Sequence, residues 1–432
     1  MRIDPRDFIM TPYLKCPKCG AQELGVLSVR DTRCERRCRA CLNLGTQRLP
    51  AIAKKIVYID QFAFSNIMKT LCPDVQGHEA AARQRFWKEL FEILGVVRHI
   101  QLVACPDSRE HERESLPSPF YNLLKRTYEH FSGGISFEDA ETIRIRQIAH
   151  IARCWLKREP VVFDFNAERI SSGRLHQWSD RIIVTADGVL PGTIQHLRTN
   201  RTVAHAGIQE VFAHYQKQSK TFKEFFEIEK ASYTQGLIRG YLNDCKKRQQ
   251  MAARIMRGQF PSLDDALASP IENLMGNLEN LFRVEVRDEG WAVALRDFLM
   301  SGAINEAPFV TISAAMFASL AVKATSGQKK LPNQGTVTDI NIVSTLLPYC
   351  DAMFVDNPCR SLLHDIPKTH ALPYPCRVFS LNTGAEFLHY LTEIRDSVSP
   401  DHLRLVEEVY GPDPLKPPTT ISGLGKRRSS GE

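Results

Sequence analysis

Two Cys-x-x-Cys pairs near the N-terminus constrain this 432-residue chain more than any other feature. Cys16 and Cys19 form the first pair, and Cys38 and Cys41 form the second after eighteen intervening residues. Two residues between cysteines let both thiolates of a turn reach one ion, and two such turns complete a tetrahedron. We therefore expect a zinc ribbon over residues 1–50. Four protein ligands leave no open position, so this zinc is expected to be structural and not catalytic.

The identity of the ligands and the role of the basic residues stay open in the ribbon segment. Cys34 could replace Cys38 as a ligand, at a less common spacing. Gly20 follows the first pair directly, where a tight turn needs freedom in φ. The segment is also basic, which is compatible with a nucleic-acid contact and equally with a solvated surface. Zinc ribbons also serve as docking modules for a protein partner or regulator. Its cations are Lys15, Lys18, Arg30, Arg33, Arg36, Arg37 and Arg39.

Charge and hydropathy narrow the class of protein. Lys and Arg exceed Asp and Glu by 56 to 49, and the formal charge of +7 favours an anionic partner such as nucleic acid. No apolar run reaches the roughly 18 residues of a membrane span. The start, Met1–Pro5, lacks the layout of a signal peptide. We therefore expect a cytoplasmic protein without a membrane partner, whose paired cysteines bind metal instead of forming disulfides.

Short apolar runs alternate with helical patterns in two parts of the chain. The strand candidates are residues 55–60, 100–105, 351–356 and 377–381. Helical spacing of apolar residues lies between them, for example over 79–97. Strands that alternate with helices predict an α/β fold with a doubly wound parallel sheet.

The predicted main domain spans residues 54–400 but is divided. Its sheet core lies in 54–118 and 331–400, and the mostly helical pattern of 119–330 indicates a large insertion. Residues 411–432 are rich in Pro, Ser and Gly, and we expect them to be disordered because they cannot bury enough apolar surface.

Several carboxylates lie where an open α/β sheet usually binds its ligands. Asp60 and Asp356 each end a predicted buried strand, and open α/β sheets bind ligands beyond the carboxyl ends of their strands. Asp339 opens the preceding helix, and Glu110 and Glu114 follow the second strand, four residues apart and so on one helix face. Converging carboxylates need cations, and Mg²⁺ or Mn²⁺ prefer such oxygen ligands. Two such ions can promote phosphodiester cleavage.

Each acid also has an ordinary explanation. Asp339 and Glu110 lie in first helical turns, where acids favour the helix dipole. Glu110 could also close a capping box with Asp107. Asp60 is the hardest to explain in this way, because it directly follows the buried run Ile56–Ile59.

The order of these motifs resembles the PIN-like nuclease family. That family has an Asp ending the first strand, a Glu in the helix after the second, an Asp opening a later helix and an Asp ending the next strand. The matching segments are Val57-Tyr58-Ile59-Asp60, Pro106 to Ser115 with Glu114 preferred over Glu110, Thr338-Asp339-Ile340-Asn341 and Phe354-Val355-Asp356-Asn357. The long helical insertion departs from compact members of the family.

The resemblance implies an endonuclease that hydrolyses phosphodiester bonds, in RNA more often than in DNA, with Mg²⁺ or Mn²⁺ held by the carboxylates. The alternative is an inactive core that serves as a nucleic-acid- or protein-binding module. A third hypothesis starts from Arg198 and His205, whose spacing faintly resembles the motif of HEPN-type ribonucleases. These two side chains could cleave RNA without a metal by general acid–base chemistry.

Overall fold

Two separate sheets and a large number of helices make up the protein. The computed structural model describes residues 4–72, 81–180, 193–260, 268–286 and 289–421. The first sheet is antiparallel, with strand order β1-β2-β3-β4. Its strands are β1 (Met10–Leu14), β2 (Leu24–Arg30), β3 (Arg33–Cys38) and β4 (Leu44–Arg48). The predicted ribbon region therefore folds as a small sheet.

The second sheet is parallel, with strand order β6-β5-β7-β8. Its strands are β5 (Lys55–Ile59), β6 (Val103–Ala104), β7 (Ala352–Phe354) and β8 (Arg377–Phe379). The predicted α/β class with a parallel sheet is confirmed. The strand predicted over 100–105 is much shorter than expected, because the preceding helix continues to His99 and Gln101 takes a φ of 62°.

Helices surround the parallel sheet. They are α1 (Gln61–Leu71), α2 (Ala81–His99), α3 (Arg109–Ser115), α4 (Tyr121–Ser132), α5 (Ala140–Lys157), α6 (Thr193–Tyr215), α7 (Phe222–Met256), α8 (Pro270–Glu285), α9 (Trp291–Met300), α10 (Pro308–Thr325), α11 (Thr336–Leu346), α12 (Asn357–His364), α13 (Gly384–Asp396) and α14 (Pro400–Tyr410). Short 3-10 turns connect several of them.

Strand β5 is buried on both faces because its side chains alternate between two hydrophobic clusters. Val57 and Ile59 pack with residues of α1, α2, α4 and α13 on one face. Ile56 and Tyr58 pack with residues of α10, α11 and α12 on the other. The sheet is therefore covered on both sides, as a doubly wound arrangement requires.

The strand order places a topological switch point between β5 and β7. From β5 the chain moves outward to β6, and from β7 it moves outward in the other direction to β8. The amide of Asp60 donates a hydrogen bond to the carbonyl of Phe354 at 3.0 Å, which ties the ends of these two strands together. Ligands of open α/β sheets bind in the crevice at such a point.

The described residues of 119–330 are mostly helical. Helix α4 packs on α1 beside the sheet, and α10 packs between α7 and α11. Helices α5, α7, α8 and α9 share a hydrophobic cluster of their own, with Leu278, Phe282 and Phe298 at its centre. The insertion thus has its own core and also continues into the packing around the sheet.

One described helix, α10, is long and apolar enough to cross a membrane by length and composition. In the structure 67% of it is buried inside the protein, against α7 and α11. This is the environment of a core helix, so the helix is weak evidence for a membrane span.

The antiparallel sheet is docked on the C-terminal helix α14. Arg36 donates from Nη2 to the carbonyl of Glu408 at 2.6 Å, and Gln47 donates to the carboxylate of the same residue. Val26 and Val29 of the sheet share a hydrophobic cluster with Val406 of α14. Hydrogen bonds and apolar contacts therefore join the two parts of the protein.

The stretch after α14 corrects one expectation. Residues 411–421 lack helix and strand, but Ile421 is buried at 4% exposure in the cluster formed by α1 and α2. Pro418 lies so close to Gly95 that a Cβ there would meet its ring. Apolar contacts therefore hold this part of the predicted disordered tail, and residues 422–432 lie outside the described part of the chain.

Candidate metal sites

Cys16, Cys19, Cys38 and Cys41 form a cluster at one end of the antiparallel sheet, and this cluster can hold a metal ion such as zinc. Their sulfur atoms all lie within 4.8 Å of one another. The distances from Cys16 to Cys41 and from Cys19 to Cys38 are 3.7 and 3.6 Å. Zn–S bonds of about 2.3 Å give a tetrahedron with edges of about 3.8 Å. Two of the sulfur–sulfur distances therefore match the edges of such a tetrahedron, and the remaining ones lie within 4.8 Å.

Two matching turns position these thiols. In the first, the amide of Gly20 donates to the carbonyl of Cys16 at 2.9 Å, and in the second the amide of Leu42 donates to that of Cys38 at 2.8 Å. Gly20 has a φ of 74° and Leu42 a φ of 59°. The expected conformation of Gly20 is thus present, and Leu42 adopts the same left-handed region despite its side chain.

The structure shows where Cys34 and the basic residues of this segment lie. Cys34 is fully buried in the core with Val26 and Leu49. It lies on the same face of β3 as Cys38 but four residues earlier, about 13 Å along the strand, and therefore away from the four thiols. Arg36 is also buried and holds α14, so it belongs to the docking contact and does not face solvent. Lys15 remains exposed, as do several other cations of the segment.

At the switch point of the parallel sheet, acids from separate segments lie close together. Asp60 follows β5 and caps α1, and Asp356 follows β7 and caps α12, where it accepts a 2.7 Å hydrogen bond from the amide of Cys359. Asp60 keeps some exposed surface but is densely surrounded by protein. Burial raises its pKa well above the usual range, and the charges of Glu114 and Asp356 raise it further.

Asp339, in the first turn of α11, completes the group. Burial raises its pKa to about 9, together with the charges of Asp60, Asp356 and Glu114. Burial likewise raises the pKa of Asp356. The structure therefore brings together Asp60, Glu114, Asp339 and Asp356, which we call the acidic cluster. Their mutual repulsion shows that the site is built for positive charge or for bound protons.

Glu110 lies at the rim of the acidic cluster. It is buried at 8% exposure, 3.7 Å from the guanidinium of Arg113. Burial raises its pKa, and Asp139 raises it further. Its charge acts on the Tyr58 hydroxyl, but the principal charges on Asp60 come from Glu114 and Asp356. Of the three glutamates on α3, Glu114 is the one that joins the cluster.

The acidic cluster is more open than the cysteine cluster. Among the described residues, the four cysteines are the only group of three or more metal-binding side chains whose ligand atoms all lie within 4.8 Å. Carboxylates with wider spacing can share two cations, or hold one that keeps part of its water shell, as Mg²⁺ commonly does.

His111 was not predicted as part of the site, although it connects two of its elements. Its Nδ1 accepts from the Ser108 amide at 2.9 Å, and its Nε2 donates to the carbonyl of Ile59 at 2.7 Å. The ring is 1% exposed, and burial lowers its pKa to about 4, so it is neutral at pH 7. Ser108 and His111 form the capping box of α3, so the box expected between Asp107 and Glu110 is wrong.

Cavities lie on two sides of the acidic cluster. The larger, of about 420 Å³, lies between α3 and α11 on one side and the insertion helices α5, α7 and α8 on the other. The residues that line this cavity include Glu114, Thr338, Arg144, Tyr233, Leu237 and Ile271. A smaller cavity of about 250 Å³ is lined by Asp356, Asn66, Arg83 and Trp87. A chain-like ligand could thus pass across the acids.

The Arg198–His205 hypothesis stays a prediction, because the side chain of Arg198 lies outside the described residues. Comparisons with protein-family models, curated proteins and solved structures found no match to the chain. The resemblance to PIN-like nucleases therefore depends on the four sequence motifs alone.

Proposed function

We propose that the chain is a metal-dependent endonuclease that hydrolyses phosphodiester bonds in RNA. The observation that supports this most strongly is the acidic cluster, in which four different segments bring carboxylates to the switch point of a parallel sheet. Hard divalent cations, Mg²⁺ or Mn²⁺, are the natural partners of such oxygen ligands. The preference for RNA over DNA follows from the PIN-like resemblance.

Electrostatics favour cations over a structural role for these acids. A structural carboxylate is normally paired with a cation or with several amides. Here burial and the charges of neighbouring carboxylates raise the pKa values of Asp60 and Asp339, and the amides of Gln61 and Phe62 offset this only in part for Asp60. A divalent cation would supply the compensating charge. A cation would relieve repulsion in the protein and leave part of its own coordination for substrate and water.

Hydrogen bonds within the protein fix the positions of the acids that would hold the cations. The bond from Asp60 to the Phe354 carbonyl fixes the end of β5 against β7, and the amide of Cys359 fixes one oxygen of Asp356. When bound, the cations would provide an activated water and stabilise the leaving oxygen of the phosphodiester. Residues of α5, α7 and α8 form the far wall of the cavity that borders this site.

We propose zinc as the ion of the cysteine cluster, with a structural role. The ligand set and spacing suit zinc, and the sheet it holds has little apolar core of its own near the thiols. The exposed cations of this sheet, such as Lys15 and Lys18, are proposed to contact nucleic acid.

Cleavage of labelled single-stranded RNA and DNA, with Mn²⁺ or with EDTA, tests the proposal. Asp356→Asn should lower the rate at least about a hundredfold while the circular dichroism stays that of the wild type. Asp351→Asn is the matched control, because Asp351 lies before the same strand and pairs with Lys55 at the opposite edge of the sheet. It should retain activity.

Two results would contradict the proposal. Cleavage that survives EDTA would favour the metal-free mechanism of Arg198 and His205. Absence of cleavage, together with calorimetry that finds no Mn²⁺ binding beyond the zinc, would favour the inactive binding module.

A further inference from the structure

An arginine of the insertion faces the larger cavity without a carboxylate partner. Arg144 of α5 donates from Nε to the Thr345 hydroxyl at 2.9 Å and from Nη2 to the carbonyl of Asn341 at 2.8 Å. Its guanidinium also lies 5.5 Å from the ring centre of Phe309. These contacts fix the side chain against α11, the helix that carries Asp339.

The charge of Arg144 is only partly satisfied. Among ion pairs of the described residues, none within 4.0 Å includes it, and its Nη1 makes no hydrogen bond to another described residue. Burial lowers its pKa, and the charges of Tyr233, Glu110, Asp139 and Glu141 offset this only in part. Arg144 is partly exposed at the wall of the adjoining cavity, so its Nη1 is available to donate to an anion bound there.

Tyr233 of α7 lies beside this guanidinium. Its ring packs edge-on against Phe309 at 5.2 Å between centres, and its hydroxyl interacts electrostatically with Arg144. Leu237 and Ile271 continue the wall with apolar surface. The cavity therefore combines a cation, a hydroxyl donor and an apolar wall, next to Glu114 of the acidic cluster.

We propose that Arg144 and Tyr233 bind a phosphate next to the scissile bond, with the adjoining base held unpaired on the apolar wall, so that the substrate is single-stranded. This inference depends on the proposed nuclease function. The volume of about 420 Å³ is within the range of single small-ligand sites. A base inside it must leave its complementary strand, and single strands permit this at no unpairing cost.

Neighbouring acids make this binding depend on cations. Glu110, Glu114, Asp139 and Glu141 also line the cavity, and among its described lining residues only Arg113 and Arg144 carry positive charge. Arg113 is engaged by Asp139 at 3.1 Å. Divalent cations on the acidic cluster reverse this local charge balance, so phosphate binding is weak without them.

Fluorescence anisotropy of a labelled single-stranded oligonucleotide provides the test. The full-length protein is titrated in Ca²⁺, with the oligonucleotide checked for integrity, and again in EDTA, over a series of salt concentrations. Arg144→Gln should weaken binding about tenfold and reduce the slope of log K against log salt by about 0.7, the value for one phosphate of a single strand. Arg146→Gln is the matched control, since Arg146 lies on the same helix but pairs with Glu138.

Two further variants keep the result independent of folding. Tyr233→Phe preserves the ring contact with Phe309 and should weaken binding about fivefold through the lost hydroxyl. Arg144→Lys keeps the positive charge but loses the planar guanidinium with its several donors. Its salt slope should therefore be closer to that of the wild type than the slope of Arg144→Gln.

The outcomes separate this inference from the proposed function. Wild-type affinity and salt slope in Arg144→Gln, or equal affinity for a blunt duplex of the same sequence, would overturn the phosphate site. Loss of cleavage in Asp356→Asn, together with the expected weakening of oligonucleotide binding in Arg144→Gln, would support both proposals. Binding that depends on Arg144 in a protein that cleaves no polymer would reject the nuclease and keep the site.

Discussion

His111 donates a hydrogen bond from Nε2 to the backbone carbonyl of Ile59 at 2.7 Å, one residue before Asp60. The same ring caps α3, which carries Glu114 three residues further on. One neutral imidazole therefore sets the distance between two elements whose acids lie in the same cluster. We infer that His111 is a positioning residue, since it acts through Asp60 and Glu114.

Replacement of His111 by Ala should lower both stability and cleavage. Loss of its two buried hydrogen bonds should reduce the free energy of unfolding by about 1–3 kcal/mol, measured by urea denaturation. His402→Ala is the matched control, because His402 also follows a serine cap and contacts the carbonyl of Ile100 at 2.7 Å, in α14 and away from the acids. Equal losses of cleavage in both variants would show that His111 acts on stability alone.

Glu114 and Glu110 should differ in their effect on catalysis. Glu114→Gln removes a charge that acts directly on Asp60 and Asp339, and the cleavage rate should fall at least about a hundredfold. Glu110→Gln, next to Arg113, should change it by less than about tenfold. Rates in Mn²⁺ at saturating substrate distinguish them, and a larger loss for Glu110→Gln would assign the metal-binding role to the other glutamate.

The stability of the metal-free protein should fall as pH rises from about 4 towards 9. Asp339 has a folded pKa of about 9 against an ordinary value of 3.8, and the pKa values of Asp60 and Asp356 are raised as well. Over this range the folded state holds protons that the unfolded state has lost, so raising the pH favours unfolding. Thermal unfolding in EDTA from pH 5 to 9 measures the trend.

Added Mg²⁺ should reverse that trend, because a cation binds more readily where fewer protons must be displaced. The increase in melting temperature should therefore be larger at pH 8 than at pH 6. Asp339→Asn should flatten the pH dependence in EDTA. A melting temperature that is independent of Mg²⁺ at every pH would contradict a cation site in the acidic cluster.

Zinc content should follow the four thiols of the cluster and no other cysteine. Cys41→Ser should lose the ion, whereas Cys34→Ser should keep about one zinc per chain, because Cys34 lies in the core of the sheet. Mass spectrometry of the metal content measures both. Loss of zinc should also lower the melting temperature, since the sheet is docked on α14 through Arg36. Zinc loss in Cys34→Ser with retention in Cys38→Ser would identify the alternative ligand set, in which Cys34 replaces Cys38.

Local patterns predicted much of the candidate site. Asp60 and Asp356 were found because a buried strand that ends in an acid is rarely a surface feature, and parallel strands deliver such residues to one edge. The cysteine cluster was found because two residues between thiols define a ligand turn wherever it occurs. The turn at Leu42 was missed, since a leucine with positive φ has no sequence signature.

The sequence by itself determined the four-cysteine cluster, the α/β class and the strand-ending acids, because spacing and alternation act over a few residues. The tertiary structure alone showed that Glu114 lies with Asp60 and Asp339, because Glu110 and Glu114 share a helix face and only the packing of α3 on β5 distinguishes them. It also placed Arg144 beside α11, nearly two hundred residues away in sequence, through contacts that no local pattern encodes.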